Sequence, residues 1–312
     1  MLVMYTKRHV LFPLLRAAAF GCAALSLLMI LFINIGGVNP TEQIAFSGGI
    51  DNDRVFLVDV RQSVALPIFR HGLNYGTGIA WSPDGGKAAF IARSVGAGDV
   101  FLLDLASGET QNLTSTDARE DAPTWLDDHR IAFWSWRDEG FRRVYTVDIR
   151  TGENTPLLDP MIPNADARYA WSPDASRYAL VTWRHGQAEI YVRRLTDNES
   201  VRLTDHPAFD YNPAWSPDGT QLAFWTTRDN DQMRLYVMND DGSDPHPITP
   251  ILPSTSDLNW SVAWSSDGAS LAFNADHEGR PAIYSVPAMG GTPQRVMFID
   301  SAFQPALAWR PQ

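Results

Sequence analysis

From Gln43 onward, apolar and polar positions alternate in short runs, with no stretch at helical spacing, and this predicts strands. Four kinds of run return in a fixed order. The first ends on a tryptophan, at Trp81, Trp125, Trp171, Trp215, Trp264 and Trp309. The second reads Ile44-Ala45-Phe46, Ala88-Ala89-Phe90, Ile131-Ala132-Phe133, Tyr178-Ala179-Leu180, Leu222-Ala223-Phe224 and Leu271-Ala272-Phe273. The third carries an aromatic residue at Phe56, Phe101, Tyr145, Tyr191, Tyr236 and Tyr284. The fourth is short, as in Gln111-Asn112-Leu113-Thr114 and Val201-Arg202-Leu203-Thr204. These are strands A, B, C and D. Between A and B stands Ser-Pro-Asp-Gly at 82–85 and 216–219, with variants after Trp171 and Trp264. Proline presets its own φ, aspartate accepts from nearby backbone N–H groups, and glycine takes a positive φ, so the segment is a tight turn between two strands.

The six tryptophans are 44, 46, 44, 49 and 45 residues apart. Four antiparallel strands at that period form the blade of a β-propeller. The first B and C runs precede the first A run, and the last A run, ending at Trp309, has no B run after it. The final strand A is therefore expected to pair with the first B, C and D strands. That pairing closes a six-bladed all-β ring and removes the open sheet edges.

Trp-Ser-Pro-Asp-Gly followed by Leu-Ala-Phe, with Leu-Tyr-Val-Met-Asn-Asp-Asp-Gly at 235–242, resembles the WD40-like Pro-Asp repeats of TolB propellers, over about residues 41–312. The resemblance implies a six-bladed propeller of the cell envelope that works by binding other proteins. TolB proteins carry an α/β domain ahead of the propeller. Here a short linker stands in that place.

Ahead of the repeats, residues 17–35 form one apolar run, preceded by Lys7, Arg8 and Arg16. As a helix, 19 residues span about 28 Å, close to a bilayer core. The basic flank keeps the amino terminus cytoplasmic. The expected organisation is a basic segment (1–16), a transmembrane signal anchor (17–35), a linker (36–42) and the propeller (43–312), single-pass with the propeller periplasmic or extracellular. A cleaved signal peptide, or a lipoprotein signal at Cys22, is the alternative. The linker enters strand B of the closing blade, which turns the A→B face toward the membrane and the D→A and B→C loops outward.

Cys22 is the one cysteine in the sequence, so neither a disulfide within the chain nor a cysteine-based metal cluster is available. Past residue 40 there are 22 basic residues against 36 acidic ones, a net charge of −14. Nucleic acid is not expected as a partner of such a surface; a basic protein surface or a cation suits it better. The D→A loops, which ring the channel mouth, hold Glu120, Asp121, Asp166, Asp210 and Asp257, the candidate binding residues for a basic peptide or cation. Ordinary solvated loop acids are the competing account. Arg93, Arg137, Arg184 and Arg228 recur at B-strand ends, which suggests pairing with a loop acid.

The histidines stand alone in separate loops with no metal-ligand spacing, although His71, His185, His206 and His277 share the outer face. Asn239–Asp244 lacks the ligand spacing of a calcium loop and fits a hairpin turn. No Gly-x-Ser-x-Gly elbow and no Gly-rich phosphate loop occur. No catalytic residue, metal or cofactor is assigned. Trp134, Trp136, Trp183 and Trp225, at or just after B strands, suit either inter-blade packing or stacking on sugars. The leading expectation is a non-catalytic, membrane-anchored interaction platform. A carbohydrate- or peptide-active propeller enzyme with its site at the channel mouth, and a sensory ectodomain binding a small ligand, are the rivals.

Overall fold

The computed structural model describes residues 43–48, 54–60, 64–70, 78–92, 98–138, 141–157, 165–183, 186–197, 199–251, 261–277, 280–299 and 307–310. All fall within the compact unit 37–312. The apolar run 17–35, expected as an anchor, lies outside the described residues. No described helix is long and apolar enough to cross a membrane.

Six four-stranded antiparallel sheets follow one another along the chain. Their A strands are β4 (Ile79–Trp81), β8 (Glu120–Trp125), β12 (Ala165–Trp171), β16 (Asp210–Trp215), β20 (Val262–Trp264) and β24 (Leu307–Trp309). Blades 2 to 6 each run A-B-C-D in sequence order. Blade 1 is ordered β24-β1-β2-β3, with β1 (Gln43–Gly48), β2 (Arg54–Asp59) and β3 (Val64–Arg70) supplied by the other end of the chain. Ile44 pairs with Trp309, Ala45 with Ala308 and Phe46 with Leu307. Each A strand touches the A strand of the next blade, from β4 round to β24 and back to β4, so the six line a central ring. The fold is thus an all-β six-bladed propeller, as the repeat predicts.

The core lies between blades. Among the described residues, six buried apolar clusters are found, one per seam. Ile44 and Val58 of blade 1 pack with Ala272, Ile283 and Val296 of blade 6, and Ala45 and Leu57 pack with Trp81, Ala88 and Phe90 of blade 2. Adjacent sheets bury alternate residues against each other, as sandwich layers do. The repeating tryptophans tie these layers together. The Trp81 indole N–H donates to the Ala308 carbonyl at 3.2 Å, Trp125 to Ala80 at 3.1 Å, Trp215 to Ala170 at 3.0 Å and Trp264 to Ala214 at 3.0 Å. Each bond crosses one seam, reaching the residue just before the preceding blade's own tryptophan. A buried ring with a polar edge thereby satisfies both its apolar body and its donor.

The A→B turn is equally regular. Ser82, Ser172, Ser216 and Ser265 each donate a 2.6 Å hydrogen bond to the aspartate two residues on. Each serine hydroxyl also accepts the backbone N–H five residues on, at 2.8 to 3.0 Å. The segment 239–244 is a C→D turn, closed by Asn239 N–H to the Ser243 carbonyl at 2.9 Å.

Candidate partner-binding face

Connectivity puts the D→A and B→C loops on one face, and the structure places four of the five candidate acids there. Glu120 and Asp210 open β8 and β16, at the same blade position, five residues before the tryptophan. Asp166 is also five residues before its tryptophan in β12, where Ala165 takes the pairing with Thr182; the backbone of Asp166 is described and its side chain is not. Asp257 lies outside the described residues.

Glu120 is 1% exposed, and its Oε1 accepts from Ser135 Oγ and Thr116 Oγ1, both at 3.1 Å, and from Arg137. Burial pushes its carboxyl above the ordinary range, against the pull of its hydrogen bonds and of the Arg137 charge. Asp210 is fully buried and takes Arg228 Nη2 on both oxygens at 3.2 Å. The two arginines stack alike: Arg137 lies 4.2 Å over Tyr145 and 5.4 Å over Phe133, and Arg228 lies 5.0 Å over Tyr236 and 5.2 Å over Phe224. The tyrosine hydroxyls donate onward to Asp138 at 2.6 Å and Asp229 at 2.8 Å. Acid, arginine, two rings and a second acid therefore form one clamp, built twice. The charges of Glu120 and Asp210 are matched inside the blade. Asp121 is 7% exposed and accepts from Ala122 N–H at 2.9 Å and Arg119 Nη2 at 3.3 Å. Arg93 and Arg184 lie outside the described residues.

The four tryptophans near B-strand ends separate. Trp134 is buried, its ring 4.0 Å from Tyr169. Trp225 is fully buried edge-on against Phe273. Trp136 lies under the Arg119 guanidinium, 5.0 Å away. Trp183 is 43% exposed. It meets Phe209 at 5.5 Å and Tyr211 at 6.5 Å, and those two rings stack at 5.9 Å. This ledge spans the seam between blades 4 and 5. Trp183 directly follows the B strand of blade 4 (Arg177–Thr182), and Phe209 and Tyr211 flank Asp210 at the start of β16. Strand alternation explains the division: while Asp210 turns inward to Arg228, its neighbours on both sides turn to the opposite surface. The i, i+2 aromatic pair around a buried acid is the signal by which the sequence marks Phe209 and Tyr211.

His206 is exposed in the same loop, its Nδ1 accepting from Ala208 N–H at 3.1 Å. His71 and His185 lie outside the described residues, and the side chain of His277 is not described. On the opposite face, Asp127, Asp128 and His129 bring ligand atoms within 4.8 Å of one another. Asp127 is already occupied there, accepting from the backbone N–H groups of His129 and Arg130 and from Arg130 Nε. The group is a turn cap in blade 3, where Leu-Asp-Asp-His replaces Ser-Pro-Asp-Gly.

The ring of six blades, four of them carrying a serine–aspartate turn between strands A and B, defines a propeller of Pro-Asp repeats. Residues 170–311 match the family model described as the TolB beta propeller domain. The fold superposes on TolB from Acinetobacter baumannii with a TM-score of 0.72, covering 93% of this chain and 71% of that one at 17% identity. The Tol-Pal system protein TolB of Francisella tularensis is 26% identical over 171 residues, 53% of this chain and 38% of that protein. The uncharacterized peptidase YuxL of Bacillus subtilis is 26% identical over 212 residues, 54% of this chain and 31% of its own length. The alignments thus span about a third of the length of each relative. This chain is a six-bladed β-propeller whose residues 170–311 are similar to the TolB beta propeller domain.

Proposed function

We propose that the chain is a non-catalytic interaction platform, held in a membrane by residues 17–35 with its propeller outside the cytoplasm, and that it binds a protein partner on the face of the D→A and B→C loops. The observation that carries this reading is the Trp183–Phe209–Tyr211 ledge. Large rings are exposed on that face while the tryptophans of the repeat are drawn into the seams. The TolB likeness supports the same reading. A peptide-active enzyme is the rival that YuxL's name brings forward, and the region aligned with YuxL is 31% of that protein.

Photo-crosslinkers placed at 183 and 209 of the full chain, in its native membranes, are expected to capture one protein in discrete adducts. Crosslinkers at 218 and 267, on the A→B turns, are expected not to. Adducts confined to the A→B positions, or none anywhere, would reject the platform. Protease treatment of intact cells or spheroplasts is expected to digest the propeller; complete protection would reject the external location.

A further inference from the structure

We propose that Trp183, walled by Phe209 and Tyr211, is the seat for a guanidinium or ammonium group on a basic segment of the protein partner. This rests on the platform reading and names the chemistry that the platform selects.

The chain itself displays the arrangement one blade away. Trp136 and Trp183 are equivalent, each three residues past the B-strand residue Phe133 or Leu180. In blade 3 the Trp136 ring is covered by Arg119, one residue before β8. Counted six residues back from the blade's tryptophan, blade 4 has Ala165 where blade 3 has Arg119. No cation lies over Trp183 among the described residues, and the indole is left 43% exposed. Among the described residues, the site is a Trp136-like ring with no arginine over it.

Three further observations point to a cation from outside. First, guanidinium on ring is this fold's repeated contact: Arg137 on Tyr145, Arg177 on Trp215 at 4.7 Å, Arg228 on Tyr236, Arg310 on Trp81 at 5.5 Å. Second, the wall is pre-set. The Phe209 N–H donates to Thr227 Oγ1 at 3.1 Å, and its carbonyl accepts the Thr227 N–H at 3.1 Å. A ring carried on a doubly tied backbone loses little freedom on binding. Third, the net charge of −14 past residue 40 attracts basic segments over a distance, and Asp205, paired with Arg202 at 2.7 Å but with its side chain 83% exposed, stands in the same loop. Rings alone would also suit a sugar; the acidic balance and the Arg119–Trp136 pair favour a cation.

The test uses the full chain in detergent micelles, titrated calorimetrically with a short peptide carrying four arginines and with its citrulline counterpart, which keeps the shape and removes the charge. Maltoheptaose is a third probe. The arginine peptide is expected to bind, the citrulline peptide to bind at least several-fold more weakly, and Trp183→Ala to lower the arginine-peptide affinity about three- to thirty-fold. Trp183→Phe is expected to recover part of the loss. Because Trp183 is half-exposed, the variant is expected to melt as the parent does, and Phe209→Ala gives an independent reading of the same seat. Absence of arginine-peptide binding, equal binding of the two peptides, or an unchanged affinity in both variants overturns the inference. So does maltoheptaose binding that Trp183→Ala abolishes in place of peptide binding. Crosslinked partner that persists alongside any of these results leaves the platform standing and removes only the cationic seat; loss of all crosslinks removes both.

Discussion

At Ala175 the Trp-Ser-Pro-Asp repeat departs from its own rule. The residue takes φ +54°, where Gly85, Gly219 and Gly268 sit at +64°, +71° and +71° in the equivalent turns. An L-residue with a Cβ pays about 1 kcal/mol or more in that region. Ala175→Gly is therefore expected to stabilise the propeller slightly, by about 0.5 to 1 kcal/mol, after the larger entropy loss of glycine is deducted. Urea unfolding would show it as a raised midpoint with unchanged slope. Gly242 is the opposite case. It takes φ +85°, and a Cβ there would stand 2.6 Å from the Leu203 carbonyl oxygen of the neighbouring blade. Gly242→Ala is expected to cost about 2 kcal/mol or more, since backbone meets backbone and neither yields. The same turns set an acid limit. Hydrogen bonds from Ser172 and Ser176 hold the Asp174 carboxyl down at about 2, and Asp84, Asp218 and Asp267 are lowered by the same serine contact. A depressed folded-state value adds stability above the unfolded pKa near 4 and loses it as pH falls toward 2. Thermal melts across that window are expected to fall less steeply in Asp174→Asn than in the parent.

Among the elements, the repeated clamp decides how blades 3 and 5 hold their shape. Arg228 neutralises a fully buried Asp210, and Arg137 does the same for Glu120. Removing one partner strands the other charge without water, a loss of about 3–5 kcal/mol. Arg228→Met is expected to destabilise by that order, and Asp210→Asn together with Arg228→Met by clearly less; chemical denaturation of the single and double variants measures the difference. This clamp also shows where sequence reasoning stops. Turn residues and tryptophans repeat locally, so blades, strand types and the joining of Trp309 to Ile44 are legible from spacing alone. Glu120 and Arg137 lie 17 residues apart on different strands, and nothing local in either stretch distinguishes a solvated loop acid from a buried one. The acids read as a charged rim from their loops are, at 120 and 210, inward-facing members of a strand. The exposed ledge was harder still to read. Trp183 belongs to one blade and Phe209 to the next, so their meeting is a property of the seam. The tendency of Arg137 and Arg228 to pair with loop acids, by contrast, followed from their recurrence at one blade position.

For the whole molecule, stability rests on closure. The blade 1–blade 6 seam and the Trp81–Ala308 bond both depend on β24, the last of the described strands. Arg310 extends that lock, its Nη1 reaching Gln43 Oε1 at 2.9 Å and its Nε the Gly85 carbonyl at 3.1 Å. Deleting residues 307–312 is expected to lower the melting temperature sharply and to convert a monodisperse propeller into associating species, because β1 becomes an open edge. Light scattering coupled to size exclusion, beside a thermal melt, tests this.

Joining the first strand to the last also has a temporal side. Ile44 and its partner Trp309 are separated by nearly the entire propeller, so the sheet of blade 1 stays a strand short until β24 has been made. Loop-closure entropy makes so distant a contact slow to form. Growing chains must therefore keep their opening residues from sticking to one another in the interval, and any stalled product lacking the tail would be recognisable as defective by that single bare border.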